Sequence, residues 1–248
     1  RRDFGGCAGN IAYGLKLLGG TPLPMATVGL DGGGYLERLK GQGISTEFVR
    51  TMEDSYTAQA MIITDRDNNQ INGFHPGAMD YAHLTKIIAR DDIKLGIIAP
   101  DGRDAMLQHG EQFAAAKIPF VFDPGQQLPR FDGAELKTFI DQASWVAVND
   151  YEGKMLCERT GWSSAEISRH VKGLIVTLGA EGSEVWVDGE KTLVPPVKAT
   201  AVVDPTGCGD AYRSALLFGL EQGFQLSRNL FFLCCGCFPL LANFQIHD

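Results

Sequence analysis

The sequence predicts an α/β fold in which a largely parallel sheet is covered by helices on both faces and carries a small β flap. Three observations lead there. First, short apolar runs recur at near-even spacing, at residues 95–99, 119–123, 145–148 and 174–177. Each is continuous rather than alternating, as in strands buried on both faces. Second, helical patterns separate them, at residues 104–117, 133–142, and 151–159 with 164–171. Strand and helix in alternation imply parallel strands joined by right-handed crossovers. Third, residues 56–64 and 70–75 flank the polar turn from Asp65 to Asn69 and read as a β-hairpin outside that rhythm. The organisation expected is a core of residues 1–50 and 76–248 with a lid at residues 51–75.

Ligands of such sheets sit beyond the carboxyl ends of the strands. Asp123, Asn149 and Thr177 occupy three of those ends. The chain has 248 residues, of which 44% are hydrophobic and 21% charged, enough for one sizeable core. A net charge of −8 without a basic cluster argues against a nucleic-acid partner. Arg1-Arg2-Asp3 leads into a glycine turn rather than an apolar run, so neither a signal peptide nor a membrane partner is expected. The six cysteines form no regular framework and read as reduced thiols of a cytoplasmic protein. The apolar stretch from Leu230 to Leu241 contains Pro239 and is too short for a spanning helix.

The chemistry concentrates in Val202-Val203-Asp204-Pro205-Thr206-Gly207-Cys208-Gly209-Asp210-Ala211. A short apolar strand enters a glycine turn that opens into a helix. The first amides of a helix have no partner within it, and with the helix dipole they form an anion site. Gly207 and Gly209 let backbone approach the anion, with the small Cys208 between them. Asp210 at its mouth is a poor phosphate ligand. It is well placed to take the proton of a hydroxyl that attacks phosphorus. The plainer reading is a tight turn with Asp210 capping the helix.

This segment resembles the second signature of the ribokinase (PfkB-type) family. The opening Gly5-Gly6-Cys7-Ala8-Gly9-Asn10 resembles the first, whose glycine pair and Asn grip sugar hydroxyls. Asn149-Asp150-Tyr151-Glu152 resembles the family's Asn-x-x-Glu, in which both residues reach the phosphates through magnesium and water. Asn149 and Glu152 also fit a capping box. Thr177-Leu178-Gly179-Ala180-Glu181-Gly182 resembles its nucleotide loop, and taken alone is a hairpin turn. The resemblance implies a three-layer ribokinase-like core, ATP and Mg²⁺ as cofactors, and Asp210 as base beside Gly207, Cys208 and Gly209. It further implies nucleotide contacts from Asn149, Glu152, Thr177, Gly179, Gly182, Asp204 and Thr206. Acceptor contacts come from Gly5, Gly6, Asn10, Phe74 and Asp123, and Glu152 reaches the metal through water. The family's first strand is expected before residue 1.

Residues 69–79 and 122–127 look most like bacterial nucleoside kinases of the adenosine-kinase kind. The acceptor implied is a nucleoside 5′-hydroxyl, its base in an apolar slot from Phe74, Met79 and Met61. Other readings are a sugar kinase such as a fructokinase or ribokinase, and a non-catalytic nucleotide-binding relative. Edge pairing of the flap would give a homodimer.

Overall fold

The computed structural model describes residues 3–65, 70–196, 207–224 and 226. Among the described residues the main sheet has six strands, running from residues 190–194 at one edge through 183–187, 174–177, 145–149 and 120–122 to 96–98 at the other. Strands β5 (Gly96–Ile98), β6 (Phe120–Phe122), β7 (Trp145–Asn149) and β8 (Leu174–Thr177) are parallel. They are the four apolar runs of the sequence. Two antiparallel strands, β9 (Ser183–Val187) and β10 (Glu190–Val194), extend the sheet beyond β8.

Alternate residues of each strand feed opposite faces. Phe122, Val146, Val148, Leu174 and Val176 pack with helices α3 (Arg103–Ala115), α4 (Gly133–Gln142), α5 (Asp150–Thr160) and α6 (Ser164–His170). Val121, Ala147, Ile175 and Val185 meet Ile11 of α1 (Cys7–Leu17) and Leu216 and Leu217 of α7 (Cys208–Glu221) on the other face. The result is three layers. Phe122 stacks on Phe139 at 4.3 Å between centroids, and burial of such a side chain contributes about 1.5–3 kcal/mol.

Local sequence fixes where the crossover helices begin. Asp132 with Glu135, Asn149 with Glu152, and Ser163 with Glu166 each close a reciprocal capping box. The same register leaves Asp123, Asn149 and Thr177 at the carboxyl end of the sheet.

A separate two-stranded sheet pairs β1 (Ala26–Gly29) with β2 (Val49–Met52) in parallel, with α2 (Gly33–Gly41) between them in the chain. The flap is an antiparallel hairpin of β3 (Gln59–Thr64) and β4 (Gln70–His75). Its two ends are pinned together at the root, where Ala78 N donates to Tyr56 O at 2.8 Å. Asp31 Oδ1 accepts from both the amide and hydroxyl of Thr57, each at 2.7 Å.

A cavity of about 520 Å³ runs between residues 22–25 beside β1 and residues 95–101 around β5. Its wall includes Ala8, Ile11 and Ala12 of α1, Asp101, and Leu217 and Phe218 of α7, but neither Asn10 nor Asp210. Burial pushes the Asp101 carboxyl up to about 7 against the lowering effect of its bond from Gly102 N. The folded chain thus keeps a proton that the unfolded chain releases near the ordinary Asp value. Stability contributed at this site is full below that value and is lost as pH rises towards 7. Asp101→Asn is expected to raise Tm by several degrees at pH ~8 and to leave it unchanged at pH ~4. Paired melting curves at the two pH values check this, and equal shifts at both would remove the carboxyl from the account.

Candidate active site

Two helix N-termini meet at the carboxyl end of the sheet. Both are preceded by glycine in the left-handed region, Gly6 at φ 97° before α1 and Gly207 at φ 83° before α7. A Cβ is strained in that conformation, so glycine is what allows each chain to turn sharply into its helix. Among the described residues no side chain caps α7. A glycine turn opening into a helix in this way is a ready site for an anion. Among the described residues, space is open around Gly5, Gly6 and Gly209, where an added Cβ would meet nothing within 4 Å.

Asp210 stands between the two helices. Asn10 Nδ2 donates to its Oδ2 at 2.8 Å, and the Cys7 thiol is a second donor from α1. Burial pushes the Asp210 carboxyl above the usual carboxylate range, while these two hydrogen bonds pull it back. Burial and the neighbouring Asp210 push the Cys7 thiol far up, so it stays protonated. Ser214 Oγ donates to Ile11 O at 3.1 Å and locks α7 onto α1 one turn further on. Tyr35 of α2 donates to Gly5 O at 3.0 Å and steadies the glycine pair from outside. The arrangement presents a carboxylate, held by neutral donors, beside an anion-binding helix start.

Asp123, expected to contact the acceptor, is paired within the chain. Both of its oxygens are held by Arg213, Nε to Oδ2 and Nη2 to Oδ1, each at 3.0 Å. The pair is buried. Arg213 was missed in the sequence. The available signal was a lone cation in an otherwise apolar helical run from Ala211 to Leu217.

Asn149 and Glu152 bond each other's backbone amides at 2.8 Å, so the capping reading describes their geometry. Burial raises the Glu152 carboxyl above its ordinary range, and the Asn149 amide opposes that rise. Thr177 Oγ1 donates to Val148 O at 3.4 Å. The loop after it, with Gly179 and Gly182, turns β8 back into antiparallel β9. Asp204 and Thr206 lie outside the described residues, as does the apolar stretch from Leu230 to Leu241.

Phe74 sits on the lid and is 55% exposed. Cross-strand partners share a face, so Phe74 joins Ala60, whereas Met61 joins Gly73 on the opposite face. Met61 and Phe74 therefore cannot line one slot. Met79 lies in the turn after the lid, within Gly77–Leu84.

Residues 1–232 match the pfkB family of carbohydrate kinases. The nucleoside kinase of Methanocaldococcus jannaschii is 32% identical over 239 residues, covering 92% of this chain and 76% of that protein. The solved nucleoside kinase of Burkholderia thailandensis in complex with inosine is 51% identical, with a TM-score of 0.88 over 94% of this chain and 78% of that one. Its complex with ADP-inosine has a TM-score of 0.90 at 49% identity, over all of this chain and 77% of that one. With the fold, these likenesses define a phosphotransferase that acts on a hydroxyl acceptor. The chain belongs to the pfkB family of carbohydrate kinases, with the ribokinase-like fold.

Proposed function

We propose that this chain transfers the γ-phosphoryl group of ATP to the 5′-hydroxyl of a nucleoside, with Asp210 as general base. The observation that carries this reading is the Asp210 carboxylate, held by Asn10 and Cys7 at the start of α7. As the new O–P bond forms, the bond from the γ-phosphorus to the β–γ bridging oxygen breaks. ADP leaves, and the hydroxyl proton passes to Asp210. The first-turn amides of α7 stabilise the charge that gathers on the transferring group.

Gly5 and Gly6 admit the ribose hydroxyls close to backbone. Asn10 keeps one N–H and its carbonyl oxygen for them while its other N–H holds the base. Phe74 covers the nucleobase from the lid. On the nucleotide side, Thr177, Gly179 and Gly182 form the edge against which ATP lies.

Magnesium fits this site as a phosphate-bound ion. Its ligands would be the ATP phosphate oxygens and water, the usual coordination of a nucleotide-bound magnesium. When bound, the ion neutralises phosphate charge. Glu152, whose Oε2 is taken by the Asn149 amide, reaches that water shell through Oε1. Glu152→Gln is expected to raise the magnesium concentration for half-maximal rate by several-fold. An unchanged magnesium titration would leave Glu152 with its helix-capping role alone. The reaction has a cytoplasmic setting, where ATP is available, and among the described residues no helix is long and apolar enough to cross a membrane.

The acceptor is tested by kcat/KM for inosine, adenosine and fructose on wild type and Phe74→Ala. The wild type is expected to prefer both nucleosides. Phe74→Ala is expected to lose ~10-fold or more on nucleosides, a contact of about 1.5–3 kcal/mol, and nothing on fructose. Fructose outcompeting both nucleosides on wild type would overturn the nucleoside assignment and leave the kinase.

A further inference from the structure

The Asp123–Arg213 pair is buried at the centre of the site, at 6% and 5% exposure. Stability does not account for it. Taking two charges out of water costs about as much as their attraction returns, and apolar side chains of similar size often serve as well. An apolar pair could neither fix the angle of a helix through two directed bonds nor set the field beside a base. This pair does both. Asp123 follows β6, and its amide donates to Ile98 O of β5 at 2.9 Å, so its backbone is tied to the sheet. Arg213 lies three residues after Asp210 on α7. The two guanidinium bonds, each 3.0 Å, therefore bolt the second turn of α7, directly after Asp210, to the carboxyl end of the sheet.

We infer that Asp123 and Arg213 are positioning residues for the reaction: they hold α7 in register with the sheet and balance the charge around Asp210. The inference rests on Asp210 being the base. The groups that act on its carboxyl are Asn10 and Cys7 from α1, Asp123 after β6 and Arg213 on its own helix. Tyr35 of α2 feels the same carboxylate, and Glu152 of α5 acts on Arg213. Asp123 pushes the Asp210 carboxyl up and Arg213 pulls it down, so the two partners have opposite effects on the same proton.

The experiment compares kcat/KM against pH, with melting curves, for the whole chain carrying Asp123→Asn, Arg213→Gln, or Asp123→Leu with Arg213→Met. Asp123→Asn leaves an unpaired cation, and the acid limb is expected to move down by about 0.5–1 pH unit. Arg213→Gln leaves an unpaired carboxylate, and the limb is expected to move up by about as much. The apolar double variant is expected to fold, to keep the limb near its wild-type position, and to lose roughly 10-fold or more in kcat as helix register relaxes. Limbs that stay fixed, or move the same way in both single variants, would overturn the inference. If the single variants do not fold, the double variant decides, and wild-type kcat in it would overturn the inference too. Failure of the base itself reads differently, as undiminished turnover in Asp210→Asn whatever these variants do.

Discussion

Asp210→Asn is expected to bind ATP with wild-type affinity and to turn over at least ~10²-fold more slowly, the usual weight of a positioned general base. The substitution is nearly isosteric. The side-chain oxygen that remains can still accept from Asn10, whose amide is 2.8 Å from the present Oδ2. No buried charge is stranded, since the Asp210 carboxyl is already pushed up by its burial, so melting temperature is expected to hold or rise. What is lost is the capacity to take a proton. Single-turnover phosphoryl transfer, with nucleotide binding measured separately, isolates that step. A variant that kept near-normal turnover would assign Asp210 to shaping the anion site and leave proton transfer to solvent.

The parts of the fold legible in the sequence were those decided locally. Residues 119–123, 145–148 and 174–177 are unbroken apolar runs because both faces of the sheet are covered, and that pattern needs no distant information. The starts of α4, α5 and α6 follow from capping boxes four residues long. The glycine turn into α7 was equally local, and so was the hairpin at β3 and β4. Side-chain pairing across the chain was not. Asp123 looked like an acceptor ligand because it ends a strand. Its partner Arg213 lies 90 residues away on a helix, a separation that a linear reading does not bridge. The bond between Asn10 and Asp210 spans 200 residues. Each signature of the family could be read alone, but nothing in either says that Asn10 of the first bonds Asp210 of the second. Met61 failed for another reason: strand alternation places it on the face opposite Phe74, a consequence of register that composition does not carry.

A double duty makes Asn10 the position with the second largest expected effect. Its amide is asked to donate to Asp210 and, with its remaining N–H and carbonyl, to satisfy acceptor hydroxyls. Asn10→Ala removes both functions. Loss of hydrogen bonds to buried hydroxyls costs roughly 1–3 kcal/mol, so kcat/KM is expected to fall by ~10–100-fold for every hydroxyl acceptor while ATP affinity is kept. The pH profile carries the second function. The Asn10 bond pulls the Asp210 carboxyl down against its burial, so losing it raises the base further and moves the acid limb to higher pH. Asn10→Asp goes further in the same direction. It sets a second carboxylate at hydrogen-bond distance from the first, and two such groups cannot both ionise freely. The expected order of the acid limb is therefore wild type lowest, Asn10→Ala next and Asn10→Asp highest, with the Asp variant recovering part of its rate as pH rises. Profiles of kcat/KM for inosine across the three proteins, at saturating ATP, check that order. If Asn10→Ala lost affinity for inosine with its acid limb unmoved, Asn10 would be an acceptor ligand alone, and the 2.8 Å bond to Asp210 would have no part in tuning the base.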